Sequence, residues 1–174
     1  MGLLEKMVTA IHESALLHHT DRERDAQRDP QTEMTVVQQQ ADAHVKAERF
    51  EEAIACFDRI IAADPNSARA WNSKANSLFR LGRFEDALTC YERAIAISPN
   101  DPRIWNNKGL TQDTLGYPMD AVKSFDAAIA LDPGIERVWQ NKGQTLSRLG
   151  WVEEARRCMK QAQDLRDKRD GRAT

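Results

Sequence analysis

Three of the four tryptophans in this chain recur at a fixed interval of 34 residues. Trp71, Trp105 and Trp139 are each followed by two polar residues, a lysine and a small residue. A Leu-Gly pair and then an alanine follow each tryptophan at constant distances. A fixed period of this length is the sequence signature of a repeat architecture, so we expect an array of similar units and not one globular core.

Prolines fix where each unit ends. Pro65, Pro99 and Pro133 have the same spacing as the tryptophans, and a fainter copy of the pattern precedes Ala68. The register therefore gives four consecutive units: 34–67, 68–101, 102–135 and 136–169. Residues 1–33 lie before the array, and residues 170–174 form a polar tail after it.

Each unit has the pattern of two helices joined by a glycine turn. In the second unit we expect the first helix from about Ala70 to Leu81, ending at Gly82, which can cap a helix in the left-handed conformation. The second helix is expected over 84–97, because apolar and small residues recur there with helical spacing. One such pair cannot bury its apolar face alone, so the pairs must stack into a solenoid. The predicted fold class is all-α.

The order of tryptophan, small residue, Leu-Gly, alanine, aromatic residue, alanine and proline at this period resembles the tetratricopeptide repeat. One position differs, because Lys74, Lys108 and Lys142 stand where that family usually has leucine. The resemblance implies a right-handed α-solenoid of antiparallel helix pairs. It also implies that the first helices line a concave groove that binds segments of other proteins.

The last unit differs from the others. Arg156 and Gln163 occupy positions that are aliphatic in the second helices of the earlier units, as a polar terminal repeat requires. No proline stands at Asp167, where the closing proline would fall, so we expect the last helix to continue towards Gly171.

The segment before the array, residues 1–33, is predicted to be an extra N-terminal helix followed by a charged linker. Charges alternate in sign over residues 21–29, which is typical of a solvated segment. An apolar stripe at helical spacing favours the helix: Leu3, Leu4, Met7, Val8, Ile11, Ala15 and Leu16. The stripe fits two roles, a helix folded onto the first unit or a helix that docks a partner or a second copy. The third alternative is that the segment is disordered.

No sequence motif indicates catalysis or metal binding. Cys56, Cys90 and Cys158 occupy one repeat position on separate helices and have no Cys-x-x-Cys spacing, which favours buried packing residues. The sequence contains no glycine-rich phosphate loop and no nucleophile elbow. We therefore expect a non-enzymatic protein without a cofactor or a metal.

Charge and hydropathy argue against two classes of partner. The 25 Lys and Arg residues nearly balance the 27 Asp and Glu residues, so attraction to nucleic acid or to an anionic membrane is not expected. No apolar run approaches the ~20 residues of a membrane span, and residues 1–10 lack the pattern of a signal peptide. The expected location is the cytoplasm.

The first helices carry a recurring set of polar residues that we predict to form a peptide-binding groove. Arginines recur at the helix starts and side-chain amides follow them: Arg69, Asn72, Asn76, Arg103, Asn106, Asn107, Arg137, Gln140, Asn141 and Gln144. An amide can both donate to and accept from an extended peptide backbone, and arginine binds carboxylates. The predicted partner is an extended protein segment that bears acidic residues. The alternative is that these residues form only a solvated face.

The tetratricopeptide family includes a carboxylate clamp for chaperone C-terminal tails. Asn76 and Asn107 match that motif and Arg137 replaces one lysine, whereas Asn72 and Asn141 stand where basic residues are expected. A chaperone-tail receptor is therefore not predicted.

The predicted function is a non-enzymatic scaffold or adaptor for protein–protein interaction. The alternative is a subunit that assembles with itself or scaffolds a complex through its N-terminal helix and its uneven charge. The first unit has 3 basic and 6 acidic residues, and the fourth has 9 basic and 5 acidic residues. This difference allows weak head-to-tail association, which salt would screen beyond ~10 Å.

Overall fold

The computed structural model describes residues 30–172 and shows an all-α chain. Within that range it has eight helices and no strand: α1 Pro30–Lys46, α2 Phe50–Ala63, α3 Ala68–Arg80, α4 Phe84–Ile97, α5 Pro102–Thr114, α6 Pro118–Leu131, α7 Glu136–Arg148 and α8 Val152–Arg169. The described residues from Gln38 onward form one compact unit, and residues 30–37 are described only as the beginning of α1. The predicted N-terminal helix and most of the predicted linker lie outside the described residues.

From Gln38 onward the helices stack as successive pairs. α3 packs on α4, α5 on α6 and α7 on α8, and the second helix of each repeat contacts the first helix of the next. The first helices α3, α5 and α7 also contact one another in that order. This is the all-α solenoid that the period predicts, and it brings equivalent faces of the first helices side by side.

Helix boundaries follow local capping chemistry. α3 begins at Ala68, two residues earlier than predicted, because the Ser67 hydroxyl accepts a hydrogen bond from the Ala70 N–H at 3.3 Å. Gly82 follows the end of α3 in the left-handed conformation, with φ of 76°. The next helix spans Phe84–Ile97, as predicted.

The turn within the first repeat has a glutamate where the later repeats have glycine. Gly116 and Gly150 have φ values of 85° and 79°, whereas the first repeat has Glu48 at the equivalent position with φ of 57°. Left-handed backbone costs a residue that has a Cβ roughly 1–2 kcal/mol. The Glu48 carboxylate forms an ion pair with Arg80 of α3 at 3.0 Å, which links the first repeat to the second.

The three repeat tryptophans show why the tryptophan and proline positions recur together. The indole Nε1 atoms of Trp71, Trp105 and Trp139 each donate to the carbonyl oxygen of the proline six residues earlier, at 3.0, 2.8 and 2.9 Å. Each bond holds the loop between two repeats against the helix that follows it.

The lysines that depart from the usual repeat pattern have a structural role. Lys74, Lys108 and Lys142 each pair with a carboxylate on the second helix of the preceding repeat, at 2.5, 3.1 and 2.5 Å. The three lysine side chains are only 17–21% exposed. Each ion pair therefore ties one repeat to the next.

The outer face of the last repeat is polar. Arg156 pairs with Glu153 at 3.1 Å, and Gln163 donates to Asp167 at 2.8 Å, so both side chains bind within α8 itself. α8 has 18 residues, against 14 in α4, and so continues past the point where the earlier second helices end.

The extension of α8 is held by one carboxylate at the start of α7. Arg166 Nε and Arg169 Nη1 donate to the two oxygens of Glu136, at 2.8 and 2.7 Å. The two guanidinium groups hold the pKa of the Glu136 carboxyl below its usual range. This cluster fastens the C-terminal end of the array.

Three further observations concern chemistry and membranes. Cys56, Cys90 and Cys158 are buried and form no disulfide. Within residues 30–172, no group of three His, Cys, Asp or Glu side chains is arranged to hold a metal ion. None of the helices in this range is both long and apolar enough to cross a membrane.

Candidate functional site

A groove follows the first helices of the second, third and fourth repeats. It consists of two adjoining cavities, of about 450 and 650 Å³. Both are lined by Ser73, Asn76, Asn107 and Arg137, which therefore mark the middle of the groove. These side chains come from α3, α5 and α7, whose equivalent faces the solenoid places side by side.

Five of the predicted amides form one hydrogen-bonded row across these helices. Asn141 Nδ2 donates to Asn106 Oδ1 at 2.8 Å, and Asn106 Nδ2 donates to Asn107 Oδ1 at 3.3 Å. Asn107 Nδ2 donates to Asn76 Oδ1 at 3.0 Å and lies 3.5 Å from Asn72 Oδ1. Asn106 is only 7% exposed, so it supports its neighbours and offers little surface to a ligand.

The row ends at a residue that the sequence analysis did not select. Tyr91 of α4 is 2% exposed, and its hydroxyl donates to Asn76 Oδ1 at 2.6 Å. Burial raises the pKa of the Tyr91 hydroxyl far above its usual range, so it remains a hydrogen-bond donor at neutral pH. The sequence gives little indication of this role. It shows only that Tyr91 stands at a position where the first and third repeats have Phe57 and Phe125.

The three predicted arginines differ in what they already bind. Arg103 makes two hydrogen bonds to the carboxylate of Asp101, at 3.0 and 2.8 Å, and holds the pKa of that carboxyl below its usual range. Arg69 lies 3.8 Å from a carboxylate oxygen of Asp42. Arg137 lines both cavities and has no carboxylate partner within residues 30–172. Arg137 is therefore the most available of the three to a ligand.

The two glutamines lie apart from the row. Gln140 Nε2 donates to Glu136 Oε1 at 2.7 Å, so it belongs to the ion-pair cluster at the start of α7. Gln144 is exposed, lines neither cavity and makes no hydrogen bond to another described side chain. The structure brings the other eight predicted residues together, in the cavity walls or in the amide row.

One end of the groove is apolar, which the sequence analysis did not predict. The smaller cavity is lined there by aliphatic and aromatic side chains: Val45, Phe50, Phe57, Phe79 and Leu110. The Arg80 guanidinium lies over the Phe50 ring, 4.9 Å from its centre. In the sequence these residues belong to ordinary core stripes, so no signal distinguishes them. An extended ligand would meet an apolar surface at one end and amide and arginine donors at the other.

Comparisons with known proteins identify the repeats. Tetratricopeptide repeat profiles match residues 39–102, 90–123 and 136–169. No curated protein matches the sequence. The fold is similar to a crystal structure of MamA, with a TM-score of 0.77 and 19% identity, over 98% of each chain. MamA 41-end from Desulfovibrio magneticus RS-1 is similar too, with a TM-score of 0.75 and 22% identity, over 98% of this chain and 99% of that one.

A third similar structure contains a bound peptide. It is the first repeat domain of Spaghetti (RPAP3) bound to the HSP90 peptide SRMEEVD. The TM-score is 0.66 and the identity is 21%, over 70% of this chain and 96% of that one. At these levels of identity the three structures show a shared fold.

Proposed function

Because this chain belongs to the tetratricopeptide repeat family, we propose that it is a non-enzymatic adaptor that binds an extended, acidic segment of another protein. The observation that carries the proposal is the position of Arg137, beside Asn76 and Asn107 in the middle of the groove. Arg137 has no carboxylate partner in the described chain, and a ligand carboxylate would supply one.

Asn76 complements this cation. Its Nδ2 makes no hydrogen bond to another described residue, so it can donate to a carboxylate or a backbone carbonyl of the ligand. Arg69 and Arg103 contribute less, because Asp42 and Asp101 already lie against them. The peptide bound to the similar Spaghetti domain contains acidic residues, which supports the same chemistry here.

The apolar end of the groove can contribute more binding free energy than an arginine contact. An exposed arginine contact contributes only about 0.2–1 kcal/mol. Burial of one aliphatic or aromatic ligand side chain near Phe57 and Phe79 would contribute about 1.5–3 kcal/mol. We therefore expect the apolar anchor to contribute more than any one arginine contact, and Arg137 to supply the preference for acidic segments. An affinity of roughly micromolar needs several such contacts together.

The test compares two charge reversals in the full chain. Arg137→Glu changes the groove, whereas Arg93→Glu makes the same change of charge on α4, at an exposed position outside both cavities. In pull-downs from the native lysate, proteins bound by the wild type should be retained much less by Arg137→Glu and to the same extent by Arg93→Glu. Partners kept by both variants would place binding elsewhere and contradict the proposal.

A subunit that associates with its own copies is a second candidate. Trp151 and Val152 of the last repeat support it, because they are 42% and 58% exposed. The acidic first repeat and basic fourth repeat add a charge difference along the array. Sedimentation should then show dimers at low ionic strength and monomers at high ionic strength. A monomer at both would exclude this role.

A further inference from the structure

The amide row has a direction. In the bonds that join Asn141, Asn106, Asn107 and Asn76, each Nδ2 donates to the Oδ1 of the next residue. The donors therefore run from the fourth repeat towards the second. If one amide alone turned over, like atoms would face each other, nitrogen against nitrogen or oxygen against oxygen, so the direction can change only for the whole row.

The row is anchored by Tyr91. Asn76 Oδ1 accepts two hydrogen bonds, one from Asn107 Nδ2 at 3.0 Å and one from the Tyr91 hydroxyl at 2.6 Å. The oxygen and nitrogen of an amide lie on opposite sides of a planar group, so the Asn76 N–H groups point away from Tyr91. With Asn76 reversed, its nitrogen would face Asn107 Nδ2, donor against donor, and the Tyr91 hydroxyl would have to give up this acceptor, which is unfavourable.

The tyrosine occurs in the one repeat where it has this partner. Packing does not require the hydroxyl, because phenylalanine fills the same position in two other repeats. The equivalent pairs in the first, third and fourth repeats are Phe57 with Asp42, Phe125 with Leu110, and Met159 with Gln144. The hydroxyl and the short amide therefore occur together, in the second repeat alone.

We infer that Tyr91 is a positioning residue of the groove, which orients Asn76 so that its N–H groups, and not its oxygen, face the ligand. The ligand must then present a hydrogen-bond acceptor to Asn76, either a carboxylate or a backbone carbonyl. The part of the inference that concerns the ligand rests on the proposed function. The orientation of Asn76 is a property of the free protein and can be measured without a ligand.

Hydrogen exchange of the side-chain amides, followed by NMR in the full chain, tests the orientation. Both Asn76 hydrogens should exchange as fast as those of the exposed Asn66, because neither is bonded within the described chain. One hydrogen on each of Asn107 and Asn141 should exchange more slowly. A slow hydrogen on Asn76 would mean that its nitrogen faces Tyr91, and this result would overturn the inference.

A matched pair of variants isolates the hydroxyl. Tyr91→Phe keeps the ring, and Tyr117→Phe makes the same change at a position that is 56% exposed. Exchange at Asn107 should rise about fivefold with Tyr91→Phe, the effect of one ordinary hydrogen bond, because the row then loses the bond that fixes its direction and can reverse as a whole. Tyr117→Phe should change nothing. An Asn107 rate that is the same in both variants would show that Tyr91 does not orient the row.

Titration with the acidic peptide SRMEEVD, amidated at its C-terminus so that no clamp for a terminal carboxylate is needed, gives a binding readout. Tyr91→Phe should weaken binding about fivefold. Asn76→Asp should weaken it further, because the carboxylate still accepts from Tyr91 and Asn107 but presents an oxygen to the groove. Affinity that neither variant changes would overturn the role of Asn76 towards the ligand. A wild type that shows the expected exchange but binds no acidic peptide would contradict the proposed function and leave the orientation of Asn76 established.

Discussion

The ring of Phe125 occupies the space that a side chain on Gly109 would need, since a Cβ there would lie 2.6 Å from Phe125 Cε1. The second repeat has Ala75 at the equivalent position, and Tyr91 in place of the phenylalanine. The two repeats therefore pack the same pair of helices differently, and the third repeat depends on its glycine.

Gly109→Ala should destabilise the protein. Overpacking of this kind costs about 1–3 kcal/mol, and the better helix propensity of alanine returns about 0.5–1 kcal/mol. We expect a net loss of about 1–2 kcal/mol in the free energy of unfolding, measured by chemical denaturation. Adding Phe125→Leu should make the effect of Gly109→Ala smaller, because leucine leaves room for the methyl group. An unchanged denaturation midpoint in the single variant would show that the ring can move aside.

The left-handed turns at Gly82 and Glu48 should respond differently to substitution. Gly82→Ala should cost about 1 kcal/mol through the backbone alone, because a Cβ there would meet no atom within 4 Å. Glu48→Gly removes the backbone cost at φ of 57° but also removes an exposed ion pair with Arg80. Thermal unfolding should therefore show little change or a small gain for Glu48→Gly. A loss as large as that of Gly82→Ala would mean that the ion pair outweighs the backbone strain.

The contribution of Glu136 should depend on pH. Arg166 and Arg169 lower the pKa of its carboxyl in the folded state, so the unfolded chain takes up a proton first as the pH falls. The stabilisation is complete above the ordinary glutamate pKa of about 4.3 and is lost as the pH falls through the lowered value. In melting curves from pH 7 to 3, wild type should be more stable than Glu136→Gln at neutral pH, and the two should converge in acid. A constant difference would contradict this linkage.

The polar outer face of the last repeat should keep the array from growing. Arg156→Leu with Gln163→Ile restores two aliphatic positions of the earlier repeats, so we expect this variant to self-associate in sedimentation. Lys160 makes this outer face still less able to accept another repeat. It stands where earlier repeats have a carboxylate that pairs with the lysine of the following repeat. Adding Lys160→Glu should strengthen the association.

A control for this cap adds apolar surface at other positions of the same helix. Arg157→Leu with Asp164→Ile changes exposed residues of α8 whose equivalents in earlier repeats are alanine, threonine or lysine. This control should remain as monomeric as the wild type. Equal association of the two double variants would indicate non-specific association through added apolar surface, and not packing at the aliphatic positions that earlier repeats use to contact the next repeat.

The helix pairs could be predicted because they follow from backbone preferences. Gly82 and Pro99 mark turns that few other residues permit, so the bounds of the helix between them were predicted correctly. The predicted start of α3, Ala70, is two residues late, because the tryptophan and proline register does not show that Ser67 caps the helix. These signals are local, and one sequence is enough to reveal them.

The groove could be predicted only in part. Equivalent positions of stacked helices must share a face, so the sequence could predict that Asn76, Asn107 and Arg137 lie close together, and all three line both cavities. Their role in binding a peptide stays a prediction. Spacing does not reveal which partner a side chain chooses, so the capture of Arg103 by Asp101 was not expected. Tyr91 was missed for another reason, since a buried ring with a bonded hydroxyl has the same helical position as any core aromatic residue.

The tryptophan–proline bonds have a consequence for how the array comes apart. Trp71, Trp105 and Trp139 fasten three successive junctions with the same bond, at nearly the same length. Because the three junctions are held by equivalent bonds, none of them is expected to open before the others. Thermal unfolding should therefore begin at the ends of the array, where a repeat packs against one neighbour only. A ligand that contacts the second, third and fourth repeats together would couple their unfolding. Gradual unfolding from the ends would then become a single cooperative transition.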